Sequence, residues 1–283
     1  MKISLIQMNS ISDKRANLAQ AKQLIERAVA EERPDWMLLP EVFDWMGGSS
    51  AEKLAIAEPA TGGPAYETLR ALARDNRIWV HGGSFFERVP GENRAYNTTV
   101  VFDRDGREAA RYRKIHMFDI TTPDGTKYKE SATMKPGEAV VTYDCEGVTI
   151  GCTICYDLRF AELFAALVER GATIIALPAA FTLQTGKDHW EVLLRARAIE
   201  TQTYVLAAAQ TGAYEAKGKT LHNYGHSMAI DPWGHVIARA SDGVGIVSTR
   251  LDLALPAAVR SRMPVAQHRR LGRAADGMAI AAE

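Results

Sequence analysis

The sequence predicts an α/β protein built as a four-layer α-β-β-α sandwich. Two observations carry the prediction. Hydrophobic residues repeat alternately at period 2 and period 3.6 along the chain, and the second half runs through the same order of elements as the first. "KISLIQM" (2–8) reads as the first strand. Residues 17–32 read as an amphipathic helix with Leu18, Ala21, Leu24, Ile25, Ala28 and Val29 on one face. "DWMLLPE" (35–41) is a short apolar strand that stops at Pro40-Glu41, and a second helix covers 64–75 after the turn Thr61-Gly62-Gly63-Pro64. "RIWVHGGSFFE", "AYNTTVVFD" and "GREAARYRK" follow as strands, the last two joined through Asp103-Arg104-Asp105-Gly106.

In the second half a strand over 148–154 leads to a helix over 158–170 and to the strand "TIIALP" (173–178). A helix over 187–201 then leads to "YVLAAAQ" (204–210), and "HSMAIDPWGHVIARA" forms a hairpin turning at Asp231-Pro232-Trp233-Gly234. The repetition is one of element order, not of residues. No Gly/Ser-rich or Pro-rich linker interrupts it, so residues 1–270 are expected to form a single domain, with 271–283 as a mobile C-terminal tail.

Composition narrows the function. The chain has 283 residues, 47% hydrophobic and 24% charged, with 34 basic and 34 acidic side chains. That balance provides no general field for nucleic acid or anionic lipid. "MKISLIQMNS" is too short an apolar run for a signal peptide, and no stretch approaches the ~18 apolar residues of a membrane span. Three cysteines, an odd number, make no disulfide framework. The expectation is a cytoplasmic protein with reduced thiols, no nucleic-acid partner and no membrane partner.

Two of the cysteines fall in "GVTIGCTICYDLRF" (147–160), which raises three readings: a redox pair, half of a zinc site, or a catalytic thiol with an incidental neighbour. Strand alternation places Val148, Ile150, Cys152 and Ile154 on one face and Thr149, Gly151, Thr153 and Cys155 on the other. A redox pair needs both sulfurs together at a helix start. Zinc would need partners such as His222 and His226, which lie far beyond the ~12–15 residues of a compact finger. Both readings are therefore disfavoured, and Cys145 and Cys152 read as packing thiols. Cys155 sits where the period changes to helical, and the first free N–H groups of a helix would favour a thiolate. Position alone leaves it between a nucleophile and another packing group.

A nucleophilic thiol attacking a carboxamide needs a proton acceptor and a cation for the oxyanion. None of the seven histidines sits in a recognisable Cys–His motif. Glu41 ends an apolar strand, where a charge is costly unless used, and Lys114 ends "AARYRK" beside the apolar Ile115. Each taken singly reads more readily as a strand-end surface charge.

Taken together, "LLPEVF" (38–43), "RYRKIHMFD" (111–119) and "GCTICYDLRFAEL" (151–163) resemble the three signature blocks of the nitrilase, or carbon–nitrogen hydrolase, superfamily, in family order and spacing. "KYKESATMKPGE" (127–138) resembles the segment with that family's second glutamate. The resemblance extends over the chain to "VAQHRR" (265–270) and implies the nitrilase-type α-β-β-α sandwich, with association into a homodimer or higher homo-oligomer through helices of the sandwich face. It also implies Cys155 as nucleophile, Glu41 as general base and Lys114 as oxyanion stabiliser. Glu130 would orient Lys114 or assist proton transfer, and the Tyr156 amide would be a second oxyanion donor. No metal or cofactor is implied.

Tyr156 follows the nucleophile where nitrile-hydrolysing members carry Trp, which favours amidase branches. Residues 185–212 and 224–234 look most like the deaminated-glutathione amidases, enzymes of metabolite repair. The implied reaction is hydrolysis of the terminal carboxamide of a 2-oxo acid amide to acid plus ammonia. Omega-amidases acting on 2-oxoglutaramate or 2-oxosuccinamate are the near alternative, with other aliphatic amidases or carbamoylases behind them. Arg159, beside the nucleophile, and Phe181 and Thr182, just past "TIIALP", are candidate substrate contacts; an ion pair with Asp157 or Glu162 is the plain alternative for Arg159. Trp190 reads as packing, His189 is open, and "GAYEAKGKTLH" (212–222) fits no family pattern.

Overall fold

In the computed structural model, which describes residues 1–122, 125–216 and 218–270, the chain builds two large sheets that pack face to face, the late strand over Gly245–Arg250 returning to the first. The proposed tail over 271–283 lies outside the described residues. Strand β1 (Lys2–Gln7) leads to α1 (Lys14–Glu32), which starts ahead of its apolar stripe because the Asp13 side chain caps it by accepting from the Ala16 N–H. After β2 (Trp36–Leu38) comes α2 (Ser50–Ala55), held by a Ser49/Glu52 capping box. It buries no residue, so no hydrophobic period betrays it.

Helix α3 (Pro64–Asn76) carries Pro at its start, and β3 (Trp79–His81) and β4 (Phe85–Arg88) follow. The stretch "RIWVHGGSFFE" is thus two strands. Gly83 adopts φ +61, and a Cβ there would lie 2.2 Å from the Pro40 carbonyl oxygen, so only glycine lets the chain turn against the strand carrying Glu41. Strands β5 (Ala95–Phe102) and β6 (Glu108–Arg113) form the expected hairpin, and β7 (Asp119–Thr121) pairs with β8 (Lys127–Lys129) in a small one beside it.

The second half begins with β9 (Thr142–Cys145) and β10 (Val148–Cys152), then α4 (Ala161–Glu169), β11 (Ile174–Ala179), α5 (Leu183–Thr201) and β12 (Tyr204–Ala209). A two-stranded hairpin, β13 (Thr211–Ala216) and β14 (Lys219–Tyr224), projects next. Strands β15 (Met228–Ile230), β16 (Val236–Arg239) and β17 (Gly245–Arg250) precede the short helices α6 (Leu255–Arg262) and α7 (Val265–His268).

One sheet has the order β17-β1-β2-β3-β5-β4 with β6 on β5, and the other β16-β15-β12-β11-β10-β9. Each centres on three parallel strands, β1-β2-β3 and β10-β11-β12. Ile3, Leu5, Trp36 and Leu38 of the first sheet join Ile150, Cys152 and Leu206 of the second in one apolar cluster. Ile6, Met37 and Val80 face Leu24, Ile25 and Leu69 of α1 and α3, and Phe164, Leu167 and Leu194 of α4 and α5 cover the other sheet. This is the α-β-β-α order that the two periodicities predict. Alternation in β10 also holds: a Cβ on Gly151 would meet Leu167 of α4 at 3.0 Å, whereas Cys152 joins the inter-sheet core beside Tyr143 and Tyr112.

Parallel strands gather their C-terminal ends on one edge, where loops carry side chains out of the sheets. Glu41 follows β2, Cys155 follows β10, and Phe181 and Thr182 follow β11. Phe164 has no exposure and fills the α4 side of the second sheet. Phe164→Ala is expected to cost about 3–5 kcal/mol in urea-monitored unfolding, whereas Val244→Ala, at a residue 44% exposed, should stay within about 0.5 kcal/mol of the parent.

Candidate active site

Cys155 is held by backbone geometry that residues other than glycine rarely adopt: φ is +47. It opens a 3-10 turn over Cys155–Arg159, and α4 begins only at Ala161. Asp157, fully buried, fastens the turn. Its Oδ2 accepts from the Ile154 N–H at 2.8 Å and the Tyr112 hydroxyl at 2.6 Å, while Oδ1 accepts from the His116 N–H at 3.2 Å and lies 2.7 Å from His116 Nδ1. Tyr112 and His116 flank Lys114, so one carboxylate ties the cysteine turn to the lysine segment. The Tyr156 N–H falls in the first turn, where helical geometry supplies no internal acceptor.

The residue after Glu41 is also on strained backbone. Val42 has φ +46, and its N–H donates to Ser84 Oγ at 2.9 Å. Gln210, just past β12, stitches the two halves beneath it. Its Nε2 donates to the Glu41 carbonyl at 2.9 Å and to Ser10 Oγ at 2.8 Å, and its Oε1 accepts from the Ser10 N–H at 2.9 Å.

Lys114, one residue past β6, has a side chain 2% exposed, and its Nζ lies 3.0 Å from Glu41 Oε1 and 2.9 Å from Glu130 Oε2. Glu130 opens a 3-10 turn and accepts from the Phe118 N–H at 2.6 Å. Asn97 Nδ2 donates to Glu41 Oε1 at 2.8 Å and reaches Glu130 Oε1 at 3.5 Å. The four residues singled out by sequence therefore meet, and Asn97, Asp157 and Gln210 join them as unforeseen supports. Asn97 lies in the run "AYNTTVVFD", where an inward asparagine in an apolar strand was the available signal.

Burial works against the Lys114 ammonium, but Glu130, Glu41 and Cys155 outweigh it and hold its pKa well above the lysine range. Lys114 is a fixed cation. Burial is also the largest influence on Cys155, and it pushes the thiol well above its ordinary range. The Glu41 carboxylate adds to that rise and accepts from the thiol, while Lys114 and the Ala180 amide oppose it. The thiolate expected from a helix N-terminus is thus corrected: the turn is a short 3-10 segment, Cys155 is buried, and burial with Glu41 outweighs Lys114 at the sulfur. Cys145 is pushed up to about 12 by burial, and Cys152 further still.

A cavity of about 500 Å³ opens above Cys155, Glu41 and Lys114, and Phe181 and Thr182 line it. Arg159 is absent from its lining. Its guanidinium sits 5.8 Å from the Tyr156 ring and 5.5 Å from the Phe181 ring, with Nη2 at 3.3 Å from the exposed His189 Nδ1, and no ion pair to Asp157 or Glu162 is seen among the described residues. The cation thus stands beside Tyr156 and Phe181, both of which line the cavity. Trp190 is fully buried, donates to the His226 carbonyl at 2.8 Å and packs on Phe181, as read. The unplaced 212–222 segment is the β13–β14 hairpin, whose Tyr214 and Leu221 form a cavity wall.

A buried thiol hydrogen-bonded to a carboxylate, beside an ammonium and under a substrate-sized cavity, is an arrangement suited to attack on an acyl centre. The carbon–nitrogen hydrolase family model matches residues 2–261, and the chain belongs to that family. It is 40% identical over 272 residues to the deaminated glutathione amidase of Homo sapiens, covering 95% of this chain and 82% of that one. With the deaminated glutathione amidase of Synechocystis it shares 41% over 269 residues, covering 93% and 96%. The solved structure of the Caenorhabditis elegans NitFhit protein superposes with a TM-score of 0.88 at 41% identity, over 95% of this chain and 65% of that one. As a sequence, that fusion protein is 42% identical over 270 residues, and this chain spans 60% of its length.

The raised thiol pKa predicts how Cys155 reacts with a small alkylating agent. A thiol shifted upward stays protonated through neutral pH, so iodoacetamide labelling should keep accelerating with pH to about 9. A rate that levels off below pH 7 would show an ion-paired thiolate instead.

Proposed function

We propose that the protein is a thiol amidase that cleaves the amide of a 2-oxoglutaryl group, with deaminated glutathione as its substrate. The observation that carries this reading is the buried contact set of Cys155, Glu41, Lys114 and Glu130 at the cavity floor. The amidases of that name among its relatives support the choice of substrate. Glutathione joins its acyl group to cysteinylglycine through a secondary amide, so with this substrate the amine released is that dipeptide and not the ammonia expected from a terminal carboxamide; free 2-oxoglutaramate, the substrate of the omega-amidase alternative, shares the acyl group and releases ammonia.

Glu41 takes the Cys155 proton as sulfur attacks the carbonyl carbon, and the oxygen becomes an oxyanion facing Lys114 Nζ and the Tyr156 N–H. Glu41 returns the proton to the amide nitrogen, the carbon–nitrogen bond breaks, and a thioester remains. Water then gives a proton to Glu41 and attacks the thioester; the acid leaves, and the sulfur recovers its proton. Glu130 keeps Lys114 aimed. Water is the only co-reactant, and no cofactor enters.

No helix among the described residues is long and apolar enough to cross a membrane, and the reduced, buried cysteines fit a cytoplasmic enzyme. It works as a homodimer or larger homo-oligomer, joined through the outward face of α5. There Val192 is 68% exposed and Ile199 51%, and Trp233, 51% exposed, lies on the adjoining β15–β16 turn that Arg195 ties to α5 at 2.8 Å. Val192→Glu with Ile199→Glu should halve or further reduce the mass seen by light scattering; an unchanged mass would contradict this interface.

The functional test compares deaminated glutathione, 2-oxoglutaramate and a nitrile. Hydrolysis of the first should be fastest, should fall by about 10⁴-fold or more in Cys155→Ala, and should persist in Cys152→Ala. Loss in Cys152→Ala with activity kept in Cys155→Ala would refute the site, and preference for 2-oxoglutaramate would make the enzyme an omega-amidase.

A further inference from the structure

The charges lining the cavity are unevenly placed. At the floor, Lys114 lies between Glu41 and Glu130, and these are the only acids in the lining among the described residues. The remaining charged residues there are Lys53, Lys127, Lys129 and Lys219. Lys127, Lys129 and Lys219 are exposed whereas the floor is buried, so they stand at the open end. They come from two hairpins: Lys127 and Lys129 flank Tyr128 on β8, and Lys219 opens β14. Lys129 feels one acid from outside the lining, Asp119 of β7, which is already hydrogen-bonded to Ser131.

Like charges gathered at one mouth repel each other. In a cleft with low-dielectric walls the same field draws in an anion. We propose that Lys127, Lys129 and Lys219 form a leaving-group subsite that recognises a carboxylate at the far end of the departing amine. This inference rests on the amidase reading above and deepens it: the preferred substrate is an elongated amide, anionic at both ends. A leaving dipeptide spans up to about 7 Å when extended, and Tyr214 and Leu221 of the same hairpin as Lys219 line the cavity that would hold it. The short amide of a free 2-oxo acid has nothing to place there. The β13–β14 hairpin, which matched no catalytic block, thereby acquires a role in selecting substrate length.

The test is a cycle between enzyme and substrate charge. Deaminated glutathione and its analogue with the terminal carboxylate converted to a carboxamide are compared on the full-length wild-type enzyme and on Lys127→Met/Lys129→Met/Lys219→Met. The wild type should favour the carboxylate about tenfold in kcat/KM at low ionic strength, mainly through KM, and lose that preference in high salt. In the variant the ratio should fall to about one. Both rates come from one preparation, so a folding defect cancels in the ratio. A wild-type ratio near one, or a ratio that survives in the variant, would overturn the subsite while leaving the amidase reading intact. If neither elongated compound is hydrolysed, that reading falls and the subsite with it.

Discussion

The ammonium of Lys114, buried between the carboxylates of Glu41 and Glu130, is the interaction on which the rest of the site depends. Two buried carboxylates this close would repel, and the ammonium between them offsets that repulsion. With Lys114 in place both can remain acceptors, one toward the Cys155 thiol and one toward the Phe118 N–H. Desolvating three charges is expensive, and the surrounding hydrogen bonds offset that cost: Asn97 donates to both carboxylates, and Gln210 holds the Glu41 backbone. In the proposed cycle the same ammonium faces the oxyanion, where it needs no reorganisation because it never leaves its place.

That arrangement also decides how the nucleophile is prepared. A cation alone would draw Cys155 toward thiolate. Glu41, hydrogen-bonded to the sulfur, pushes the other way, and burial reinforces it. In the proposed cycle this makes proton transfer from Cys155 to Glu41 part of the attack instead of a prior ionisation. The strained backbone at Cys155 and at Val42 keeps both partners in reach. Asp157 then couples the cysteine turn to Tyr112 and His116, the neighbours of Lys114, so the three segments are positioned by one another.

Much of this was legible in the sequence because it followed from periodicity. Alternation in residues 148–155 separated Cys152 from Cys155, and the element order repeated in each half predicted two sheets with helices outside. The convergence of Glu41, Lys114 and Cys155 came from matching three blocks to a family, since residues so distant in sequence meet only through sheet topology. Features lacking a periodic or apolar signature were not legible. Helix α2 buries nothing, the β7–β8 and β13–β14 hairpins are short and half exposed, and Asp157 looked like one more acid in a turn. The thiolate expectation failed because sequence showed a helix start but neither the depth of burial nor the nearby anion. Nearness in sequence to Cys155 likewise did not reveal that Tyr156 and Phe181 would stand beside Arg159.

The central claim is that an acyl group passes through the Cys155 sulfur. Acid-quenching the enzyme during turnover of deaminated glutathione, followed by peptide mass spectrometry, tests it directly. The account predicts a 2-oxoglutaryl thioester on the peptide carrying Cys155 and no acyl group on Cys145 or Cys152. Hydrolysis proceeding with no acylated Cys155, or with the acyl group on Cys152, would contradict it.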